Sequence, residues 1–591
     1  MGYRFCLGAS GAGKSSELHK RVTQYARDAL ARQDFSVNFL VVVPDQYTMQ
    51  TQKEMVLAAG EYGGILNVDV LSFGRLSHRI FEEMGADERG VLDDMGKTLL
   101  LRRLVSRCRK DLTVLGNGVE RPGMIAEIKS VISEFMQYGI TPEGAGTLAA
   151  GAAAGGQGGL AARLLDLKLL YEAFLEERKN RYITGEETLD LLAEAIPRSG
   201  LIRRSIVIFD GFTGFTPVQN RVLLALMQNA KEVVFSLDYA EDGGTPIRSV
   251  MQGEAYEEQD LFYLTRKTVA QICKMAGQSG IPHEEDWYIG DETGRTVPPR
   301  FAGNPALAHL EKSLFRYPVR AYRKDAAELP VHLVLASNPA AEVRQMFRKI
   351  HELIAEKGYH YRDFAIVSGN LSAYEDDIRI CAAGMGIPVY LDTNRSVLQN
   401  PLTETIRGAL EIGGGDYSYE TVFRYLRSGL TGLSEDEVDR LENYCLARGI
   451  ASRKRWETAF DDAYEPMRTR VLAQLSPLQS LGRANAMERT KALYDFLSAI
   501  DAGEQMEERA QELEKLGETA AAMEYRQIYD AILHLLEELY DLLGDEKISA
   551  ADFLELVEAG FEEIRLGTLP QQVDRILAGD MVRTRLSEVK V

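Results

Sequence analysis

Short apolar runs of strand length alternate along the chain with longer stretches of helical periodicity. Arg4-Phe-Cys-Leu leads into Gly8, and Leu18, Val22, Tyr25 and Ala26 then keep helical spacing. Phe35-Ser-Val-Asn-Phe-Leu-Val-Val-Val43, closed by Pro44, is apolar with almost no alternation, as is Ser205-Ile-Val-Ile-Phe209. Strands buried on one face alternate polar and apolar residues, whereas strands covered on both faces read as continuous apolar runs. Together with Ile65–Val70 and Glu232–Leu237, these runs predict a parallel sheet layered between helices, an α/β core.

A second α/β unit is predicted from the apolar runs Val331–Ala336, Phe364–Val367 and Ile387–Leu391, with a helix over Ala340–Lys357. Between and after the two units the period becomes helical. Leu99, Leu100, Leu104 and Val105 mark the first such stretch; Ile528, Ile532, Leu535, Leu539 and Leu542 hold core spacing in the second, up to a C-capping Gly544. The Gly/Ala tract Gly144–Gly159 predicts a flexible loop. Residues 242–305, with Val297-Pro-Pro299, read as a connection out of the first core. The partition is then residues 1–92 with 198–325, a helical insertion over 93–197, residues 326–415 with 560–591, and a second insertion over 416–559. The strand-like end, from Val573–Leu577 through Leu586–Val591, has no cap or tail, which predicts the front portion of a longer protein.

Composition narrows the class without naming a function. A chain of 591 residues exceeds a single core, so several domains are expected. No run of eighteen apolar residues occurs and the first residues enter a strand directly, so neither a membrane span nor a signal peptide is expected and the expected compartment is the cytoplasm. Cys6, Cys108, Cys273, Cys381 and Cys445 are far apart, and the eight histidines lack ligand spacing, which disfavours a disulfide framework, a zinc site or an iron-sulfur cluster within these residues. The net charge of -20 argues against a protein coated in nucleic acid but leaves room for a local basic channel.

The candidate chemistry begins at Gly8-Ala9-Ser10-Gly11-Ala12-Gly13-Lys14-Ser15, which satisfies G-x-x-x-x-G-K-[ST] between an apolar strand and a helix. Glycines turn successive N–H groups toward a phosphate, Lys14 reaches the outer phosphates, and the Ser15 hydroxyl is placed to ligate Mg²⁺. A chance match is the alternative, and the strand-loop-helix context weighs against it. Asp210 ends an apolar strand in the manner of a Walker B carboxylate directed at that Mg²⁺. Motor ATPases place a glutamate next, whereas this chain has Gly211, which argues against turnover. Ser72-Phe73-Gly74-Arg75 combines a hydroxyl, an aromatic face and a cation, a set suited to single-stranded nucleic acid; a core Phe73 beside a solvated Arg75 is the equal alternative. Thr216 reads as the N-cap of a helix that opens with Pro217. Arg102, Arg103, Arg107, Arg109 and Lys110, and also Ser452-Arg-Lys-Arg-Trp456, fit either a phosphate-binding surface or solvated helix faces.

Two α/β units with helical insertions, one phosphate loop in the first and none in the second, resemble the layout of superfamily 1 helicases. More closely, the chain resembles the family of B subunits of the AddAB (RexAB) ATP-dependent helicase/deoxyribonuclease. The resemblance is carried by Gly8–Ser15, Val43-Pro-Asp-Gln-Tyr47, Asp69–Arg75, Ile208–Phe212 with Phe215–Gln219, and Tyr374–Pro401, and it covers the chain end to end. It implies two RecA-like P-loop domains, ATP held by Gly8–Ser15, Mg²⁺ at Ser15 and Asp210, and Ser72, Phe73, Arg75 and Thr216 facing DNA. It also implies an A subunit as heterodimer partner, single-stranded DNA and duplex ends as ligands, a scan for a recombination hotspot, and double-strand break processing for homologous recombination. The family's nuclease domain, with its iron-sulfur cluster, is expected beyond this chain. Gly369 stands where active helicases of the superfamily carry a phosphate-contacting arginine. With Gly211, it leaves a nucleotide-gated DNA-binding scaffold without turnover as one alternative and an unrelated P-loop NTPase as another.

Overall fold

The computed structural model describes residues 2–33, 36–60, 67–85, 90–117, 123–179, 182–290, 297–322, 330–391, 395–479, 481–567, 574–581, 584, 586 and 589–591. The expected strand starts at Phe35, Ile65 and Val573 lie outside the described residues, as do Ser587 and Glu588 of the expected end strand. Among the described residues, no helix is long and apolar enough to cross a membrane. The chain divides into two compact units, residues 1–91, 131–145 and 178–336, and residues 92–130, 146–177 and 337–591. It is an α/β protein with parallel sheets and many helices.

The first unit is organised by β1 (Tyr3–Gly8), β2 (Asn38–Val42), β3 (Val68–Leu71), β4 (Ser205–Phe209), β5 (Glu232–Asp238) and β6 (Trp287–Tyr288). They form one six-stranded sheet in the order β3-β2-β4-β5-β1-β6, with every pair parallel. Val42 lies opposite Leu71 on one side and Phe209 on the other, and Phe5 lies opposite Phe235. Because all six strands run one way, their carboxyl ends share one edge.

The pleat explains the unbroken apolar runs. Phe5, Leu7, Leu40, Val42, Val207, Phe209, Val233 and Phe235 point to one face, which is covered by α2 (Phe73–Met84), α3 (Pro217–Asn229) and α4 (Tyr263–Gln278). Cys6, Phe39, Val41, Val43, Ile208 and Val234 point to the other, where Leu18 and Val22 of α1 (Lys14–Arg32) and Met55 cover them. Each large apolar side chain buried this way is worth about 1.5–3 kcal/mol against exposure. A fully buried ion pair also lies in this unit: both terminal guanidinium nitrogens of Arg266 on α4 donate to Asp242, at 2.9 and 2.6 Å.

In the second unit, β7 (Ala365–Ser368), β8 (Val389–Leu391) and β9 (Ile576–Asp580) form a parallel sheet in the order β8-β9-β7. Val343, Phe347, Phe364, Ile378, Ile576 and Ala578 build its core. Ile528, Ile532, Leu535, Leu539 and Leu542 are buried along the helix Thr519–Leu543, which ends at Gly544 as its spacing predicts.

Three local expectations are corrected. Val331–Ala336 forms no strand, and Leu333 and Leu335 are 90% and 91% exposed; an apolar run becomes a strand only where a sheet edge receives it. The Gly/Ala tract is not a loop: helices Pro142–Ala154 and Gly158–Arg178 take up most of it, with Ala145 and Ala149 buried. Alanine is the strongest helix former, and a row of small residues lets such a helix pack closely. Val297-Pro-Pro299 does not simply lead out of the core, because it delivers a short 3₁₀ turn, Pro299–Phe301, against the loop that follows β1.

Candidate nucleotide site and the strand-end surface

The site is assembled where the parallel strands stop. Just past the strands the backbone continues to pair: Tyr239 N–H donates to Gly8 O at 2.9 Å, Asp210 N–H to Val42 O at 3.0 Å, and Val43 N–H to Leu71 O at 2.9 Å. The segments after β1, β2, β3, β4 and β5 are thus fixed side by side at the carboxyl edge, the edge at which α/β sheets bind ligands.

Between β1 and α1 the chain makes the loop that Gly8–Gly13 predicts. Ala12 N–H closes it on Ala9 O at 3.1 Å, and Glu17 N–H starts α1 on Gly13 O at 2.9 Å. Gly11 and Gly13 have φ of +74° and +91°, values that cost an L side chain about 1–2 kcal/mol. The buried Lys14 ammonium folds back over this loop, donating to Gly8 O at 3.0 Å and Ala9 O at 3.1 Å and pairing with the Asp238 carboxylate at the end of β5. Ser15 is half-buried on the first turn of α1.

Asp210 is 3% exposed, at the end of β4. Cys6, underneath the loop, senses both charges. Burial pushes its thiol up to about 12, Lys14 acts to lower it and Asp210 to raise it. The thiol therefore stays protonated and inert at neutral pH.

Gly211 has φ of +80°, and a Cβ there would lie 3.4 Å from Cδ2 of Tyr47 and 3.7 Å from Cδ of Pro44. The position after Asp210 is thus a left-handed turn packed against the Pro44–Tyr47 segment. This backbone costs an L side chain about 1–2 kcal/mol, so a glutamate here would be held under strain.

The residues expected to face DNA separate into three kinds. Phe73 is a core residue, 8% exposed, its ring 5.8 Å from Phe209 and 5.7 Å from Phe212, so it offers no free face for stacking. Ser72 and Thr216 are N-caps: Ser72 Oγ accepts from Arg75 N–H at 3.4 Å, and Thr216 forms a reciprocal capping box with Gln219 ahead of Pro217. Arg75 is exposed at the first turn of α2.

Both basic clusters keep cations at the surface, as solvated helix faces do: Arg109 and Lys110, and Arg453, Lys454 and Arg455, are exposed. Arg102 pairs with Glu555 at 2.8 Å, Arg107 with Glu177 at 3.0 Å, and Arg103 with Glu546 and Glu177, so these three cations are met by glutamates. Trp456 is buried, 5.2 Å from Phe460.

Sequence reading missed two neighbours of the loop, Asp238, which holds Lys14, and the Arg300–Phe301 pair against Gly11, and did not place Tyr47 on Gly211. Asp238 carries the same signal as Asp210, a carboxylate at the end of an apolar strand. The other two are visible only in three dimensions.

A family model described as "ADDB, N-terminal" matches residues 5–311, the stretch that contains the phosphate loop, Asp210, Gly211 and Arg300. The chain is 34% identical to the B subunit of the ATP-dependent helicase/deoxyribonuclease of Lachnoclostridium phytofermentans, over 100% of this chain and 51% of that protein. It is 32% identical to the corresponding B subunit of Desulforamulus reducens and 28% identical to that of Clostridium novyi, in each case over 100% of this chain and 51% of the relative. The chain spans about half the length of the curated relatives it matches. By the family match over more than half of its residues, the chain belongs to the AddB family.

Proposed function

We propose that this chain is the helicase-like portion of an AddAB-type complex, which binds ATP with Mg²⁺ and holds single-stranded DNA while double-strand breaks are processed for homologous recombination. The two parallel sheets are read as RecA-like cores, residues 1–92 with 198–325 and residues 326–415 with 560–591. Residues 93–197 and 416–559 are read as their helical insertions.

One observation carries the reading. A G-x-x-x-x-G-K-S loop closes between β1 and α1, with Lys14 folded over it and Asp210 at the same sheet edge. This donor set fits a nucleotide: loop amides and a lysine for phosphate, and a hydroxyl and a carboxylate, Ser15 and Asp210, for Mg²⁺. Bound Mg²⁺-ATP would supply the polyphosphate charge these groups hold. For DNA, the exposed Arg75 and the cap residues Ser72 and Thr216, at the starts of α2 and α3, lie along the same edge and suit a phosphate backbone. Phe73 anchors α2 from below. The heterodimer partner is an A-type subunit, duplex ends enter with it, and the hotspot scan is a property of the assembly.

Gly211 favours a second reading, in which the nucleotide gates DNA binding without turnover. The chain has no carboxylate here to orient an attacking water, and the backbone conformation disfavours one. Phosphate release by the full chain, with and without single-stranded DNA and an A-type partner, separates the two. Release by the chain alone overturns the gated reading, and its absence while Mg²⁺-ATP alters DNA affinity supports it.

A further inference from the structure

The 3₁₀ turn Pro299–Phe301 sits directly on the phosphate loop. Arg300 N–H donates to Gly11 O at 3.4 Å, and a Cβ at Gly11 would lie 3.0 Å from Cβ of Arg300, 3.4 Å from its Cδ and 3.2 Å from Cε2 of Phe301. Gly11 thus lacks a side chain for two reasons, its positive φ and the approach of this turn. The aliphatic stem of Arg300 runs alongside Gly11 as far as Cδ, which leaves the guanidinium next to the loop.

Arg300 is exposed, and its guanidinium has neither an ion pair nor a hydrogen bond among the described residues. The other cation at the loop, Lys14, is held by Gly8 O, Ala9 O and Asp238. A guanidinium is a planar fork suited to bidentate phosphate binding, and it remains charged at any physiological pH.

We propose that Arg300 is a phosphate-contacting residue of the nucleotide site, carried onto the loop by the Pro299–Phe301 turn and specific for the outer phosphates of a nucleoside triphosphate. The inference rests on the nucleotide-binding reading of Gly8–Ser15. It gives the site an arginine from the same compact unit as the loop. Phe301 holds the turn down by packing its ring edge over Gly11.

The test is equilibrium binding of Mg²⁺-ATP and Mg²⁺-ADP to the full chain, comparing wild type, Arg300→Ala, Arg300→Lys and Lys14→Ala. Removing a charge-assisted hydrogen bond to the outer phosphate corresponds to an affinity decrease of about tenfold or more. Arg300→Ala is therefore expected to weaken ATP by about tenfold or more and ADP several-fold less, and Arg300→Lys to recover part of the decrease. Equal ATP affinity in wild type and Arg300→Ala, with Lys14→Ala impaired, overturns the arginine and leaves the nucleotide reading intact. Tighter binding by Arg300→Ala also overturns it, and identifies the turn as a cover over the loop. If Lys14→Ala binds like wild type, the nucleotide reading itself fails.

Discussion

Replacing Gly211 tests the strongest argument about turnover, that the backbone after Asp210 disfavours a side chain. The left-handed conformation at φ +80° costs an L residue about 1–2 kcal/mol. The new Cβ would rest 3.4 Å from Cδ2 of Tyr47 and 3.7 Å from Cδ of Pro44, ordinary van der Waals distances that add no clash. Loss of glycine's freedom in the unfolded chain offsets about 0.4–1 kcal/mol. The net cost of Gly211→Ala is about 1 kcal/mol. Gly211→Asn costs less, because asparagine tolerates this region, and Gly211→Glu costs more, because it adds a carboxylate beside the buried Asp210.

The chain has two tryptophans, one in each compact unit. Trp287 on β6 has the guanidinium groups of Arg4 and Arg21 over its ring, 4.7 and 4.4 Å from the centroid, and reports on the first unit once Trp456 is replaced by Phe. With a slope of about 2–3 kcal/mol per molar urea, 1 kcal/mol moves the fluorescence midpoint by about 0.3–0.5 M. The expected order of midpoints is wild type, Asn, Ala, Glu, and Gly211→Glu is expected to gain no phosphate release. Coincident midpoints for all four, or a stable Gly211→Glu that hydrolyses ATP, would refute the reasoning.

Two further outcomes follow from the same structure. Asp242→Asn leaves the buried Arg266 guanidinium with Asp260, 3.8 Å away, as its remaining carboxylate and is expected to cost about 3 kcal/mol. In the wild type, burial alone would raise the Asp242 carboxyl, but hydrogen bonds from Arg266 and Gly244 N–H outweigh it and hold it below the ordinary range. Its contribution is therefore complete above the unfolded carboxyl's value of about 4 and is lost as pH falls through the lower folded value; urea midpoints across that acid window should fall more steeply for wild type than for Asp242→Asn. Arg75→Ala should weaken single-stranded DNA binding and reduce the salt slope by about 0.7, whereas Phe73→Leu should leave the slope unchanged, read by fluorescence anisotropy at several salt concentrations.

The sheet of the first unit was legible because burial on both faces leaves unbroken apolar runs, and the loop was legible because phosphate chemistry needs its glycines and Lys14 in fixed order. Thr216 with Pro217, and Gly544 at the end of Thr519–Leu543, were legible for the same kind of reason: caps are local rules. What was not legible depends on neighbours far away in the chain. Phe73 reads equally as a stacking or a core residue until Phe209 and Phe212 are placed beneath it, and Arg102 stays open between a phosphate ligand and a solvated cation until Glu555 meets it. Val331–Ala336 has strand composition, but composition supplies no sheet edge. The arrival of Arg300 at Gly11, from nearly three hundred residues away, leaves no trace in either local sequence.

The central claim is that a nucleotide is held at the loop between β1 and α1. Isothermal titration of Mg²⁺-ATP into the full chain, wild type against Lys14→Ala, tests it most directly. Saturable one-site binding by wild type that is abolished or severely weakened in an equally folded Lys14→Ala is the predicted result. Equal affinity in the two proteins, or no binding by wild type, would contradict it.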